Sequence, residues 1–347
     1  MATVSIRDVA ERAGVSVGTV SNVLNSPARV SPRSVERVHA AIEELGYVRN
    51  DAARQLRAGR STTIGLVVLD VRNPFFTDVA RGVEDEAAMH SLSVILGNSD
   101  ESVEREAAYL DLFEEQRVHG VLISPYGDVG PRLARLRSRG TPAVLVDRMS
   151  PDGGFSSVSV DDVAGGRLAA RHLLDIGRRR IAFVGGPLDI RQVADRLVGA
   201  RAAVEAQPDA RLEVVELSAL SVLEGRRAGE ALLARPAAER PDAVFAANDL
   251  VATGLLQALV MQGSVRVPDD IALIGFDDID FASAAVVPLS SIRQPSQLIG
   301  RTAVQLLIEE ARDPGLAPRQ VVFQPELVVR ASTAAGGSRN ETATSAH

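Results

Sequence analysis

Seven short apolar runs, separated by amphipathic stretches, constrain the fold of this chain from residue 64 onward. The runs are IGLVVLD (64–70), SVILGNS (93–99), GVLISP (120–125), AVLVD (143–147), IAFVGG (181–186), AVFAAND (243–249) and IALIGFDD (271–278). Continuous apolar runs are typical of strands that are buried on both faces of a parallel sheet. Helical patterns lie near 75–90, 103–116, 162–176, 193–206, 223–234, 249–262 and 296–312. This alternation predicts a doubly wound α/β fold with enough strands for two sheets.

The first fifty residues have a different pattern, which predicts three short helices. Ser5 and Asp8 match a capping box at the start of one helix, and Gly14 suits the left-handed residue that ends it. Ser16 is placed to cap a second helix directly after this turn, and Ser31-Pro32 begins a third. Two helices on either side of a tight turn predict a helix-turn-helix, whose second helix enters a DNA major groove.

Charge divides unevenly along the chain. The formal net charge is −7, but residues 1–60 contain nine Arg against six acidic residues, and the remainder contains 29 Arg against 39 acidic residues. A basic head on an acidic body is expected when a DNA-binding module is joined to another domain. The absence of Cys excludes disulfides and Cys-containing zinc sites, and the five His residues lack metal-ligand spacing. We therefore expect no metal and no other cofactor.

Several other classes of protein lack their signatures here. No apolar run approaches 18 residues and no secretory signal begins the chain, so we expect a cytoplasmic protein rather than a membrane or exported one. No G-x-G-x-x-G follows a strand, and neither a Walker A motif nor a G-x-S-x-G elbow is present. We do not expect an enzyme, and an α/β enzyme that uses clustered Asp and Arg side chains is the distant alternative.

Sequence blocks along nearly the whole chain resemble the LacI/GalR family of bacterial transcriptional repressors. The blocks are VSIRDVAERAGVSVGTVSNVLN, VHAAIEELGYVRN, GLVVLDVRNPFF, VHGVLISP, RLVGAR, AANDLVATG, VPDDIALIGFDD and SIRQP. The resemblance implies a three-helix head, a hinge helix, and a core like that of periplasmic sugar-binding proteins. In that core, two doubly wound subdomains are joined by three crossovers, and an effector binds in the cleft between them.

The resemblance also implies how the chain divides into domains. The expected division is a head at 1–49, a hinge helix and linker at 50–63, a first subdomain at 64–161 and about 292–322, and a second at 162–291 and about 323–333. Residues 334–347 are polar and lack periodicity, so we expect a disordered tail.

The implied function is that of a ligand-responsive repressor. A homodimer would place two heads on a pseudo-palindromic operator. A small sugar-like effector in the cleft would then release the protein from the DNA. A corepressor-dependent regulator that senses a purine or a sugar phosphate stays open, because it would use the same cleft with the opposite sign of coupling.

Residues of the second helix and of the hinge are expected to contact DNA. The start of such a helix faces base edges, while hydroxyl side chains beside it can bind phosphates. Asn22 suits adenine, whereas many family members have Arg at this place, which suits guanine. The family resemblance implies that Leu56 wedges into the minor groove at the centre of the operator. The expected DNA-binding set is Ser5, Ser16, Val17, Gly18, Thr19, Ser21, Asn22, Asn50, Ala53 and Leu56.

Polar residues at the ends of the predicted strands supply the expected effector site. Hydroxyl groups of a sugar both donate and accept hydrogen bonds, so carboxylates, amides and a guanidinium can hold them, with an aromatic ring against the apolar face. The pair Asp147-Arg148 resembles that of ribose-binding family members and favours a sugar over a purine. No aromatic residue occurs in 218–224, where some members have one. The expected effector-binding set is Asn73, Phe75, Phe76, Asp147, Arg148, Arg196, Asn248, Asp277 and Gln294.

Overall fold

The structure, a computed structural model, describes residues 4–47, 61–261 and 265–334. The chain divides into two units, the head and the body, with the body beginning at Thr62. The described part of the head contains α1 (Ile6–Ala13), α2 (Val17–Asn25) and α3 (Pro32–Leu45), with a 3₁₀ turn at Pro27–Arg29. A small core joins these helices through the buried side chains of Val9, Ala10, Ala13, Val20, Val23, Val38 and Ala41.

The three head helices begin where the sequence predicts, and α1 also ends at the predicted residue. The Asp8 amide donates to Ser5 Oγ at 3.4 Å, and the Ser5 amide donates to an Asp8 carboxylate oxygen at 2.7 Å. Gly14 ends α1 with a φ of +61°, a left-handed conformation that costs glycine little. The Thr19 amide donates to Ser16 Oγ at 3.0 Å, which caps α2. The capping box, the turn and the second cap confirm the helix-turn-helix.

The first sheet of the body has six parallel strands. They are β1 (Thr63–Val68), β2 (Ser93–Asn98), β3 (Gly120–Ile123), β4 (Ala143–Val146), β5 (Ser156–Val160) and β11 (Gln320–Phe323), in the order β2-β1-β3-β4-β5-β11. Apolar side chains join the sheet to α4 (Pro74–Met89), α5 (Val103–Glu115), α6 (Gly130–Ser138) and α12 (Ser296–Arg312). We call this sheet and its four helices the first half of the body.

The second sheet also has six strands. They are β6 (Arg180–Gly185), β7 (Arg211–Glu216), β8 (Ala243–Ala246), β9 (Ala272–Asp277), β10 (Ser290–Arg293) and β12 (Glu326–Val328), in the order β7-β6-β8-β9-β10-β12. Only the pairing of β10 with β12 is antiparallel among these described strands. The sheet packs against α7 (Asp162–Asp175), α8 (Arg191–Glu205), α9 (Val222–Ala234) and α10 (Asp249–Met261), and together they form the second half. A 3₁₀ turn at Ala237–Glu239 precedes β8, and the short helix α11 (Asp280–Ala284) follows β9.

These two sheets confirm the predicted α/β architecture. The chain passes from one sheet to the other three times: between β5 and α7, between β10 and α12, and between β11 and β12. The carboxyl ends of the parallel strands are where α/β proteins bind ligands. None of the helices in the described residues is long and apolar enough to cross a membrane.

Several elements do not follow the apolar runs from which the strands were predicted. The runs correspond to β1, β2, β3, β4, β6, β8 and β9. No apolar run or helical pattern predicted the strands β5, β7, β10, β11 and β12 or the helices α6 and α11. Strand β5 reads SSVSV, and two of its buried serines have side-chain partners, because the Ser156 hydroxyl bonds to Glu310 and the Ser157 hydroxyl to Gln320. Strand β7 lies at the edge of its sheet and is largely exposed or half-buried. Strand β5 therefore depends partly on side-chain hydrogen bonds, and β7 lies at a sheet edge. Neither needs the continuous apolar run that would have marked it in the sequence.

Two glycines allow α7 and α8 to pack backbone against backbone. A Cβ at Gly166 would lie 1.9 Å from the carbonyl oxygen of Arg196, and a Cβ at Gly199 would lie 2.0 Å from that of Val163. Any side chain at either position would force the helices apart. This close contact brings Arg196 of α8 beside Asp162 at the start of α7.

Candidate DNA-binding surface and effector site

The first turns of α2 present a face that is free of the head core. Val17 is 41% exposed, and Gly18 and Asn22 are exposed as well, whereas Val20 and Val23 are buried. A Cβ at Gly18 would meet nothing closer than Ser16 Oγ at 3.7 Å, so packing within the head does not require glycine there. A surface of small side chains with one amide can approach base edges closely.

The other expected DNA-binding residues of the head lie beside this face. Ser5 and Ser16 are exposed, while Thr19 and Ser21 are half-buried. Ser16 Oγ and Thr19 Oγ1 are 2.9 Å apart and share a hydrogen bond. The remaining predicted residues, Asn50, Ala53 and Leu56, lie outside the described residues.

Asp277, the last residue of β9, accepts hydrogen bonds from two of the other expected effector-binding residues. Asn73 Nδ2 donates to Asp277 Oδ2 at 2.9 Å, and Gln294 Nε2 donates to Asp277 Oδ1 at 2.8 Å. Asn73 caps α4 of the first half, and Gln294 lies where the chain passes from β10 to α12. All three side chains are buried. The structure thus brings these three predicted residues together in the cleft between the halves.

Arg196 lies among buried charges of the second half. Its Nε donates to Asp162 Oδ1 at 2.8 Å, and its Nη1 donates to the Ala247 carbonyl oxygen at 2.8 Å. The same Nη1 lies 3.9 Å from Asp277 Oδ1. The guanidinium Cζ is 3.7 Å from the centroid of the Phe276 ring, within the range of a cation–π interaction. The second half therefore holds Arg196 through two hydrogen bonds and the Phe276 ring.

Asp147 follows β4 in the first half and is contacted from the second half. Gln192 Nε2 donates to the Asp147 carbonyl oxygen at 2.7 Å and to Asp147 Oδ2 at 2.9 Å. The neighbouring Arg148 is half-buried, with Nη1 3.4 Å from the carbonyl oxygens of Pro125 and Gly127. A pocket of about 440 Å³ opens here, and its lining includes Asp147, Arg148, Gln192 and Asp162.

Phe75, Phe76 and Asn248 have packing or capping contacts in the structure. The two rings meet edge to face, 5.0 Å apart, and both are buried in the core of the first half. The Val251 amide donates to Asn248 Oδ1 at 2.9 Å, which satisfies one of the free amides in the first turn of α10. Their assignment to the effector site stays a prediction.

Three buried carboxylates surround the one guanidinium of Arg196. Burial raises the pKa of Asp162 to about 6, against the opposing charge of Arg196. Burial and the charge of Asp162 raise the pKa of Asp147 well above its usual range, and burial raises the pKa of Asp277. Within the described residues, no group of three or more His, Asp or Glu is placed to hold a metal ion. The three carboxyl groups make the cleft rich in hydrogen-bond acceptors.

Two acceptor oxygens in the cleft have no hydrogen-bond donor among the described residues. Asp147 Oδ1 and Gln294 Oε1 are buried, and neither accepts a hydrogen bond from any residue that the structure describes. An unsatisfied buried acceptor costs about 1–3 kcal/mol. A ligand that donates hydrogen bonds in this cleft would recover that cost.

Two side chains that organise the site, Asp162 and Gln192, are not among the residues predicted from the sequence. Asp162 begins a helix after β5, a strand that has no apolar run, and it pairs with Arg196 from another helix. Gln192 lies in the first turn of α8 and has no motif around it. Strand-end position was the available signal: Asp162 follows β5, which was not predicted, and Gln192 lies six residues beyond the predicted strand 181–186 and not at its end.

Two family models match this chain. Residues 5–50 match the model of bacterial regulatory proteins of the lacI family, and residues 170–333 match that of a periplasmic binding protein-like domain. The ribose operon repressor of Halalkalibacterium halodurans is 36% identical over 344 residues, which cover 98% of this chain and 99% of that protein. The HTH-type transcriptional repressor PurR of Aliivibrio fischeri is 34% identical over 94% of this chain and 98% of that protein.

Solved structures have the same architecture. The lac repressor dimer bound to operator and the anti-inducer ONPF aligns with a TM-score of 0.80 and 29% identity, covering 96% of this chain and 100% of that one. A LacI family transcriptional regulator from Enterococcus faecium with bound ribose aligns with a TM-score of 0.71 and 29% identity, covering 78% of this chain and 98% of that one. The helix-turn-helix, the two-sheet body and these full-length similarities lead to one conclusion: this chain belongs to the LacI family of bacterial regulatory proteins.

Proposed function

We propose that this protein is a transcriptional repressor that binds a pseudo-palindromic operator as a homodimer and leaves it when a small neutral sugar enters the cleft. Relatives of nearly the same length are named repressors, and a structural neighbour is a dimer on its operator. The exposed face of α2 supports the DNA-binding part of the proposal. A regulator of an operon must reach the chromosome, so we place the protein in the cytoplasm.

The observation that carries the effector class is the pair of unsatisfied acceptors, Asp147 Oδ1 and Gln294 Oε1. Gln294 Oε1 is an acceptor only, and a carboxyl oxygen of Asp147 accepts from a hydroxyl when it is ionised and can donate to one when it is protonated, so sugar hydroxyls, which both donate and accept, fit the pair. The ribose-bound neighbour and the ribose operon repressor favour a pentose among the sugars. We assign effector binding to the nine residues expected from the sequence.

Charge argues against a phosphorylated effector. At neutral pH a phosphate group carries negative charge and offers acceptors rather than donors. Asp147, Asp162 and Asp277 would stand near it with the buried guanidinium of Arg196 already held by Asp162. A sugar phosphate would therefore have to place its phosphate away from these carboxylates, on the side of the pocket that Arg148 lines. The second candidate function is a corepressor-dependent regulator, which would use the same cleft with the opposite sign of coupling.

We also propose the domain division given by the sequence analysis. Strands β5 and β11 lie together in the first sheet, and β10 and β12 lie together in the second. This membership supports a first subdomain at 64–161 with about 292–322, and a second at 162–291 with about 323–333. The head at 1–49 and the hinge at 50–63 complete the division.

A thermal-shift screen of the full-length protein tests the effector class. Ribose, other pentoses, hexoses, ribose 5-phosphate, hypoxanthine and guanine are compared at equal concentration. A ligand at 100 times its dissociation constant adds about 2.7 kcal/mol to the stability of the folded state. We expect a neutral pentose to raise the melting temperature most. A response to the purines or to ribose 5-phosphate alone would contradict the proposal.

Operator binding then gives the sign of regulation. DNA sites selected from a random library are titrated by fluorescence anisotropy with and without the ligand found. We expect the sugar to weaken binding. If the sugar strengthens binding, the protein is a corepressor-dependent regulator instead.

A further inference from the structure

We propose that Gln192 is a positioning residue for the effector: it locks Asp147 across the cleft and leaves one carboxylate oxygen of Asp147 for a ligand hydroxyl. This inference rests on the proposed function, because it assumes that a sugar binds in the cleft. Nothing in the sequence marks Gln192, so the inference depends entirely on its contacts.

The contact joins the two halves of the body. Gln192 lies in the first turn of α8 in the second half, and Asp147 follows β4 in the first half. Nε2 donates to the Asp147 carbonyl oxygen at 2.7 Å and to Oδ2 at 2.9 Å. Both side chains are buried, Gln192 at 5% exposure and Asp147 at 3%. Because the donor and the acceptors belong to different halves, both hydrogen bonds require the cleft to be closed.

The backbone of Asp147 adds to the effect of this contact. Asp147 has a φ of +59°, a left-handed conformation that is uncommon outside glycine and is retained when the surroundings fix it. Its amide donates to the Val158 carbonyl oxygen at 2.8 Å, and Gln192 holds its carbonyl oxygen from the other side. The direction of the carboxylate is therefore set before any ligand arrives.

The hydrogen-bonding capacity of each group then determines what a ligand can do. One amide nitrogen has two hydrogens, and Gln192 directs both to Asp147. Oδ2 is thereby occupied, while Oδ1 accepts no hydrogen bond from the described residues. A sugar would bond to Asp147 through Oδ1, while Gln192 keeps the other oxygen in place. Removing the amide would loosen the carboxylate and remove two bonds of the closed cleft.

Substitution of Gln192 in the full-length protein tests this inference. Gln192→Met keeps the length of the side chain but removes both donors. Titration calorimetry with ribose should give a dissociation constant at least tenfold higher than wild type. The melting temperature without sugar should fall, because two buried oxygens of Asp147 lose their donor, but the variant should still fold and bind the operator. Gln192→Glu, which brings a carboxylate toward that of Asp147, should weaken ribose binding at least as much.

Gln305→Met is the matched control. Gln305 Nε2 also donates to a carboxylate, Glu86 Oε1 at 3.2 Å, but both residues lie in the first half. Its dissociation constant for ribose should stay within twofold of wild type. If Gln192→Met does not fold, Gln192→Asn, which draws the amide back by one methylene, should show the same loss of affinity.

Two results would count against the proposals, and they are distinct. Ribose binding by Gln192→Met within twofold of wild type would overturn the role of Gln192 and leave the proposed function intact. A wild-type protein that binds neither ribose nor any other sugar of the screen would overturn the proposed function, and the inference with it.

Discussion

The guanidinium of Arg196 stacks on the ring of Phe276, with Cζ 3.7 Å from the ring centroid. Its Nε donates to Asp162 and its Nη1 donates to the Ala247 carbonyl oxygen. A side chain held by a ring, a carboxylate and a backbone oxygen is part of the core of the second half as well as a candidate effector contact. Replacement of Arg196 should therefore lower the stability of the body, whether or not Arg196 also contacts the effector.

Arg196→Ala should destabilise the body strongly. The substitution leaves the buried Asp162 without its cation, and loss of one partner from a buried pair costs about 3–5 kcal/mol. Urea unfolding of the full-length protein measures this cost. Arg191→Ala on the same helix is the matched control, because the Arg191–Asp195 pair is exposed and such pairs contribute 0–1 kcal/mol at most. Equal stability of the two variants would contradict the assignment of Arg196 to the core.

Asp147→Asn should separate effector binding from folding. Asparagine tolerates the left-handed backbone and keeps an acceptor for Gln192, but it removes a buried carboxylate whose pKa burial raises. We expect the free energy of unfolding at pH 7 to stay the same or increase. Loss of the acceptor at Oδ1 should weaken ribose binding at least tenfold, about 1.4 kcal/mol. Calorimetry and urea unfolding check both expectations.

The control for this variant is Asp175→Asn at the exposed end of α7. It makes the same chemical change away from the cleft and should alter neither quantity. An Asp147→Asn protein that binds ribose as tightly as wild type would remove Asp147 from the site.

Glu101 should make the stability of the body depend on pH. Burial, followed by the charges of Asp70, Asp100 and Asp189, raises its pKa from 4.5 to about 7. A carboxyl group whose pKa is higher in the folded state stabilises that state fully below pH 4.5, and this contribution is lost as the pH rises through 7. Between pH 5.5 and 8 the wild type should therefore lose stability that Glu101→Gln does not lose.

Differential scanning calorimetry at several pH values measures this difference. Glu115→Gln, at an exposed position of α5, is the control and should follow the wild-type pH dependence. Parallel pH profiles for wild type and Glu101→Gln would show that Glu101 is not the group that titrates.

Asn22→Ala should weaken operator binding without changing the stability of the head. Asn22 is exposed on α2, and a bidentate contact of Asn with adenine contributes about 1–3 kcal/mol of discrimination. Asn22→Arg should shift the preference at one position of each half-site from adenine to guanine. Anisotropy titrations with matched operator variants test both changes. His39→Ala on the exposed side of α3 should leave affinity and preference unchanged.

The sequence predicted those parts of the fold that depend on apolar burial or on local backbone chemistry. Strands such as β1 and β8 are continuous apolar runs, and the head depends on caps such as Ser16 and a left-handed Gly14. Strand β5 was not predictable in this way because buried serines replace its apolar residues. Strands β11 and β12 are short and partly exposed, so they leave no apolar run to detect.

The candidate site likewise contains some residues that could be predicted from the sequence and others that could not. Asp147, Asn248 and Asp277 could be selected from the sequence because they lie at or just after strands, and parallel strands end at one edge of a sheet. Asp162 and Gln192 could not, since each acquires its role from a residue on a separate element that folding brings close. Contacts between elements that are distant in sequence have no local pattern.

The positions of β11 and β12 have a consequence for folding during synthesis. Both strands come from the last described part of the chain, yet one completes the first sheet and the other completes the second. The first half lacks its last strand until residue 323 has left the ribosome, and the second half lacks its last strand until residue 328 has, although residues 63–293 supply the other ten. The two halves must therefore finish folding together after nearly the whole chain has been translated, rather than as two domains released one after the other.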